Sequence, residues 1–127
     1  MEIHHIAIWT KDLEAMKTFY THYLGGVSNQ KYSNPVKKFE SYFISFDGGA
    51  KIELMHSALL TEQTVEDDRW GITHIAFVLE SKEAVFELTE KLRSEGIRIV
   101  GEPRTTGDGY FESVILDIEG NRIELIA

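Results

Sequence analysis

The chain has 127 residues, 43% hydrophobic and 27% charged, the make-up of a single soluble globular domain able to bury a sizeable core. Thirteen basic against twenty-one acidic residues give a formal charge of −8, so phosphate backbones and anionic membranes are repelled and neither nucleic acid nor a membrane is an expected partner. There is no cysteine, which excludes disulfides and thiolate chemistry; with no signal-like N-terminus and no long apolar run, the expected location is cytoplasmic.

In chain order, Ile3–Trp9 alternates as a strand does and is rich in β-formers. A helix follows, with Asp12 as its N-cap and Leu13, Met16, Phe19, Tyr20 and Tyr23 as its apolar stripe, ended by Gly25-Gly26. Strand-like runs come next at about Val27–Ser33, Phe39–Phe46 and Ala50–His56. The same order then repeats. Ile72–Leu79 reads as a strand, Ser81 as a cap, Val85, Leu88 and Leu92 as a stripe, and Gly96 as a stop. Further runs lie at about Ile97–Gly101, Tyr110–Asp117 and Asn121–Ile126. The expected fold is α+β: two βαβββ modules, about 1–56 and 72–127, forming a curved mixed sheet within one domain, 1–127. A linker at about 57–71, containing Glu66-Asp67-Asp68, joins them.

The repeat is literal in places. His5-Ile6-Ala7 returns as His74-Ile75-Ala76, 69 positions on, and Ile52-Glu53-Leu54 as Ile123-Glu124-Leu125, 71 positions on. Phe39-Glu40-Ser41 recurs as Phe111-Glu112-Ser113, 72 positions on. Alternation puts His5 with Ala7 and Trp9, and Glu53 with Lys51 and Met55, opposite to Ile52 and Leu54. Taken singly, a strand His is usually hydrogen-bonded or solvated, and a strand Glu usually faces water. The symmetric quartet His5, Glu53, His74 and Glu124 instead suits one divalent ion, Ni, Zn, Co, Mn or Fe. His4 competes with His5, but Thr73 stands in its place in the second copy. His22 and His56 have no counterpart.

These residues carry a resemblance to the vicinal oxygen chelate superfamily, which includes glyoxalase I, bleomycin-resistance proteins, methylmalonyl-CoA epimerase and extradiol dioxygenases. The ligand order His5, Glu53, His74, Glu124 is similar to that of bacterial glyoxalase I, and Asp117-Ile118-Glu119-Gly120-Asn121-Arg122-Ile123-Glu124 resembles the closing D-P-x-G-N-x-x-E motif, with Ile118 in place of proline. The resemblance implies a metal-dependent lyase or isomerase. A small substrate such as the hemithioacetal of a 2-oxoaldehyde chelates the ion, and Glu124, with Glu53 as its symmetry mate, removes a proton beside a carbonyl. It also implies a homodimer, with the ligands drawn from one chain or from two. An epimerase would share the proton chemistry; an extradiol oxygenase or a non-enzymatic drug-binding protein are the other readings. Two positions depart from glyoxalase I: Trp9 stands where it has arginine and Ser57 where it has asparagine. Trp9 is either a rim aromatic or a surface for stacking substrate. Met55, Arg104 and Tyr110 complete the candidate substrate contacts, with Arg104 and Lys37 serving either an anion or solvent. The segments Tyr32–Glu40 and Thr105–Tyr110 are the expected pocket borders, Gly107 and Gly109 permitting tight backbone and Asp108 forming a turn.

Overall fold

The computed structural model describes residues 4–59, 74–106 and 109–127. Ile3, the linker stretch Glu66–Asp68, Ile72, Thr73, Gly107 and Asp108 lie outside the described residues. The chain forms two compact units, Met1–Thr64 and Val65–Ala127. Among the described residues no helix is long and apolar enough to cross a membrane.

The first unit contains β1 (His5–Trp9), α1 (Leu13–His22), β2 (Val27–Ser28), β3 (Tyr32–Asn34), β4 (Phe39–Ser45) and β5 (Lys51–Ser57). Its strands run β1-β5-β4-β2, with β3 also on β4; β1 is parallel to β5 and the remaining pairs are antiparallel. Asp12 starts α1 by accepting the Ala15 N–H at 2.9 Å, filling one of the open donors at a helix start. Leu13, Met16, Phe19 and Tyr20 pack with Ile44, Ile52 and Leu54 to make the core. Each such side chain contributes about 1.5–3 kcal/mol on burial.

One expected run, Val27–Ser33, is divided into β2 and β3. The cause is Asn29. Its backbone N–H donates to Phe43 O at 3.0 Å, while its side-chain Oδ1 accepts the Phe43 N–H at 2.8 Å. A side chain thus fills a rung of the ladder. Ser28 pairs with Ile44 but Tyr32 with Ser41, so this strand carries one extra residue.

The second unit contains β6 (His74–Val78), α2 (Lys82–Ser94), β7 (Ile99–Thr105), β8 (Phe111–Leu116) and β9 (Arg122–Ile126). The order is β6-β9-β8-β7, with β6 parallel to β9. Ser81 Oγ accepts the Ala84 N–H at 3.1 Å. At the other end Gly96 has φ +84°. Its N–H reaches Arg93 O at 3.1 Å and that of Ile97 reaches Leu92 O at 3.0 Å. That pair of bonds is a Schellman stop. Thr89 joins Val85 and Leu92 in the buried stripe, with Leu88 only half-buried. The Thr89 hydroxyl is satisfied there, 2.6 Å from Val85 O and 2.7 Å from Ser113 Oγ. β7 runs four residues past its expected end at Gly101, through Pro103. It is an edge strand with register shifts, where a missing N–H is tolerated.

The registers show which repeats are structural. Ala7 pairs with Glu53 and Ala76 with Glu124; Phe43 also pairs with Glu53 and Val114 with Glu124. The two β4/β8 strands are therefore equivalent at an offset of 71, not 72. The phrase Phe-Glu-Ser is out of step by one residue, and a one-residue slip exchanges the faces. Phe39 and Ser41 share the Glu53 face, whereas Phe111 and Ser113 share the helix face. Glu112, not Phe111, occupies the face of Glu124.

Candidate functional site

In each unit the sheet face away from the helix carries the candidate residues. Ile52 and Leu54 are buried on the α1 side, as are Ile123 and Leu125 beneath α2. Alternation then leaves Glu53 and Glu124 on the opposite faces, where each is half-buried. The residue directly across from each glutamate is an alanine, Ala7 or Ala76. Its methyl group leaves room for the carboxylate to lean toward the His two residues earlier. His5 Nε2 lies 3.5 Å from Glu53 Oε2, and His74 Nε2 lies 3.3 Å from Glu124 Oε2. The sequence-predicted ligands are thus brought together pairwise, with the same construction in both units.

Both separations exceed a strong charge-assisted hydrogen bond, which is about 2.7–2.9 Å. Two donor atoms bound to one ion at about 2.0–2.2 Å each stand about 3.0–3.5 Å apart. The donor set, neutral imidazole nitrogen plus carboxylate oxygen, is also one that first-row divalent ions accept. The pairs therefore fit a metal on chemistry and spacing. Within either unit, no third His, Asp or Glu among the described residues completes a metal-holding group. Each unit by itself offers an ion one imidazole nitrogen and one carboxylate.

The other histidines take different places. His4 precedes β1, and its Nδ1 lies 2.9 Å from His5 Nδ1. His56 faces the helix side, where its Nδ1–H donates to the Thr10 carbonyl at 2.9 Å. That is a structural tie between β5 and the end of β1.

Around His5 and Glu53 the face is aromatic. The Phe43 ring stands edge-on to His5 at 5.4 Å. Trp9 pairs in register with Met55, is 51% exposed, and meets Phe39 at right angles at 6.1 Å. Phe39 in turn lies 6.0 Å from Tyr32. Ser57 closes β5, its Oγ accepting the Leu59 N–H at 3.2 Å. Lys37 belongs to an exposed turn, where its backbone N–H donates to Asn34 Oδ1 at 3.1 Å.

Around His74 and Glu124 the face is charged. Arg104 lies 3.4 Å from Glu112 Oε1, with the Arg104 side chain 71% exposed and that of Glu112 only 14%. Tyr110 is exposed just before β8, its carbonyl accepting the Thr106 N–H at 2.8 Å. Phe43 and Glu112 were not among the sequence candidates. Strand parity counted from Glu53 and Glu124 finds both; the Phe-Glu-Ser phrase hides Glu112. An open depression lined by Lys82, Glu83, Phe86, Glu87 and Phe111 contains none of the candidates.

The turn into β9 fixes Glu124. Asp117 Oδ1 accepts the N–H groups of Glu119 and Asn121, at 3.0 and 2.9 Å, and Oδ2 accepts Asn121 Nδ2 at 2.8 Å. Gly120, at φ +88°, returns its N–H to Asp117 O. On the helix side of the first unit, Glu14 is held below the usual carboxylate range, first by its hydrogen bond from Lys31 and then by that from Tyr42.

Two mixed sheets, each with one helix, and a His/Glu pair at the same point in both define a class. The model of the Glyoxalase/Bleomycin resistance protein/Dioxygenase superfamily matches residues 2–125, and the chain belongs to this family. The Bacillus subtilis (strain 168) protein YqjT, itself uncharacterized, is 30% identical over 131 residues, covering 98% of both chains. Among solved structures, glyoxalase I from Zea mays is 24% identical with a TM-score of 0.81, over 98% of this chain and 44% of the maize chain. This chain thus spans under half the length of the maize enzyme. The trypanothione-dependent glyoxalase I of Leishmania major is 26% identical with a TM-score of 0.79, over 99% of this chain and 86% of that one.

Proposed function

We propose that the protein is a divalent-metal-dependent lyase or isomerase of the glyoxalase I type, working on a small substrate that chelates through two oxygens. The observation that carries this reading is the His/Glu pair built twice at one register, with Nε2–Oε2 separations of 3.5 and 3.3 Å. His5, Glu53, His74 and Glu124 would hold one ion, contributed by one chain or by two copies in a homodimer. Such an ion, when bound, supplies Lewis-acid stabilisation of negative charge developing on a carbonyl oxygen.

The chain's own residues do the rest. Glu124 takes the proton from the carbon beside the carbonyl, and the C–H electron pair passes into the carbonyl group. The protonated carboxyl then returns the proton to the former carbonyl carbon, while the hydroxyl proton of the first carbon passes to the former carbonyl oxygen, leaving the first carbon as the new carbonyl. Glu53 is its symmetry mate, able to serve the opposite face. Trp9, Met55 and Phe39 offer an apolar rest for the substrate's non-chelating part, and Arg104 and Tyr110 offer polar contacts. A peptide thiol with a free carboxylate finds Trp9 where a cation would serve it better, so glutathione is a poor cosubstrate in this reading.

The test is calorimetric titration of the metal-stripped protein with Ni or Zn, followed by solvent-deuterium exchange at the substrate carbon. One ion per four ligands is expected, with exchange reduced at least about 100-fold in Glu124→Gln. Absence of stoichiometric binding overturns the reading; exchange surviving in Glu124→Gln moves the base elsewhere.

A further inference from the structure

We infer that His4 is a positioning residue for the His5/Glu53 pair, accepting the Nδ1 proton of His5 so that the bare Nε2 of His5 faces Glu53. The inference rests on the metal reading above for its purpose, though not for its geometry.

The two Nδ1 atoms lie 2.9 Å apart. Two unprotonated nitrogens repel at that distance, so one of them carries a proton and the other accepts it. If His4 were the donor, the His5 proton would sit on Nε2, aimed at the Glu53 carboxylate. A ring N–H facing a carboxylate closes to about 2.7–2.9 Å. The observed Nε2–Oε2 separation is 3.5 Å, and no hydrogen bond joins the two groups. With His5 as the donor, its Nε2 carries a lone pair, the state in which that nitrogen can bind an ion.

The surroundings keep the pair in place. The rings of His4 and His5 are nearly perpendicular, at 84° with centroids 5.2 Å apart, which brings one ring's nitrogen to the edge of the other. Phe43 stands across the His5 ring at 85°. The carbonyl of His4 accepts the Lys51 N–H at 2.9 Å, pinning its backbone to β5. His4 is able to turn toward its neighbour because it stands before the first residue of β1, where the strand's strict alternation has not begun. A ligating imidazole commonly donates its other N–H to such an outer partner, which fixes tautomer and ring angle. Here that partner is another imidazole.

Long-range proton–nitrogen NMR of the metal-free full chain near pH 8, where free imidazole is neutral, reads the tautomer directly. The wild type should show His5 protonated on Nδ1 and bare at Nε2. In His4→Ala, a population with the proton on Nε2 should appear, and Zn affinity measured by chelator competition should fall about 10- to 100-fold. His4→Gln keeps an acceptor oxygen and should recover part of both readouts. A wild-type His5 protonated at Nε2 overturns the inference, as does His4→Ala binding Zn within twofold of wild type. The two readings fail separately. Locked tautomer without Zn binding removes the metal reading alone, whereas Zn binding indifferent to His4 removes this one alone. Far-UV circular dichroism of each variant checks that the exposed substitution leaves the fold intact.

Discussion

The carboxylate of Asp117 accepts three N–H groups, from the backbone of Glu119 and Asn121 and from the Asn121 side chain. Asp117 is only 5% exposed, so water does not readily replace it. Asp117→Ala would leave those donors short of a partner and should lower unfolding free energy by about 2–3 kcal/mol in a urea titration. Asp117→Asn retains one acceptor oxygen and should lose less. Ile118, where the motif usually has proline, is 50% exposed, and the turn is held by Asp117 and Gly120 rather than by that residue. Glu14 gives a pH effect of known sign. Its folded pKa is lowered by the Lys31 hydrogen bond, so its contribution is present above the ordinary glutamate pKa of 4.5 and lost as pH falls through the lower folded value. The side chain is 56% exposed, so the effect is screened and small. Lys31→Met should flatten the dependence of stability on pH as pH falls below the ordinary glutamate value of 4.5; an unchanged slope would show that the pair does not persist in solution.

At the level of elements, packing decides what a glycine or a repeated phrase means. Gly26 is buried, and a Cβ placed there would collide with the Ile44 side chain and crowd the Tyr20 carbonyl. Gly26→Ala should destabilise by about 1–3 kcal/mol through overpacking. The same change at Gly48, which has open space around it but φ +94°, acts through backbone strain alone. A thermal melt in which Gly26→Ala costs no more than Gly48→Ala would contradict this. Much of the fold was legible beforehand, because strand parity and helix caps are local. Asp12, Ser81 and Gly96 act as the sequence suggested, and both glutamates lie opposite their apolar neighbours. What misled was identity without register. Phe-Glu-Ser recurs, yet its two copies face opposite ways, since the strand offset is set by pairing to Glu53 and Glu124. The Asn29 side chain in the ladder and the turn of His4 toward His5 were likewise hidden. The first depends on an extra residue in the strand and the second on a side-chain contact just before β1, and residue type alone announces neither.

Over the whole molecule, the proposed centre is a sum of two incomplete ones. A single His/Glu pair offers an ion two protein donors, and two donors on a strand face hold a hydrated divalent ion weakly. In the proposed centre an ion held by one pair would meet the second pair at a high effective concentration, which multiplies the two weak affinities. Affinity should then depend on both units equally. His5→Ala and His74→Ala should weaken Zn binding by similar factors, despite lying in different units. An ion bound to the folded state alone, at 100 times its Kd, adds about 2.7 kcal/mol to unfolding. For a chain of this length that raises Tm by about 8–12 °C, and chelator should reverse the shift. The double variant His5→Ala/His74→Ala should show no shift at the same Zn concentration. If the shift persists there, the stabilising ion is held by other residues, and the doubled His/Glu pair is an architectural repeat without a shared ligand.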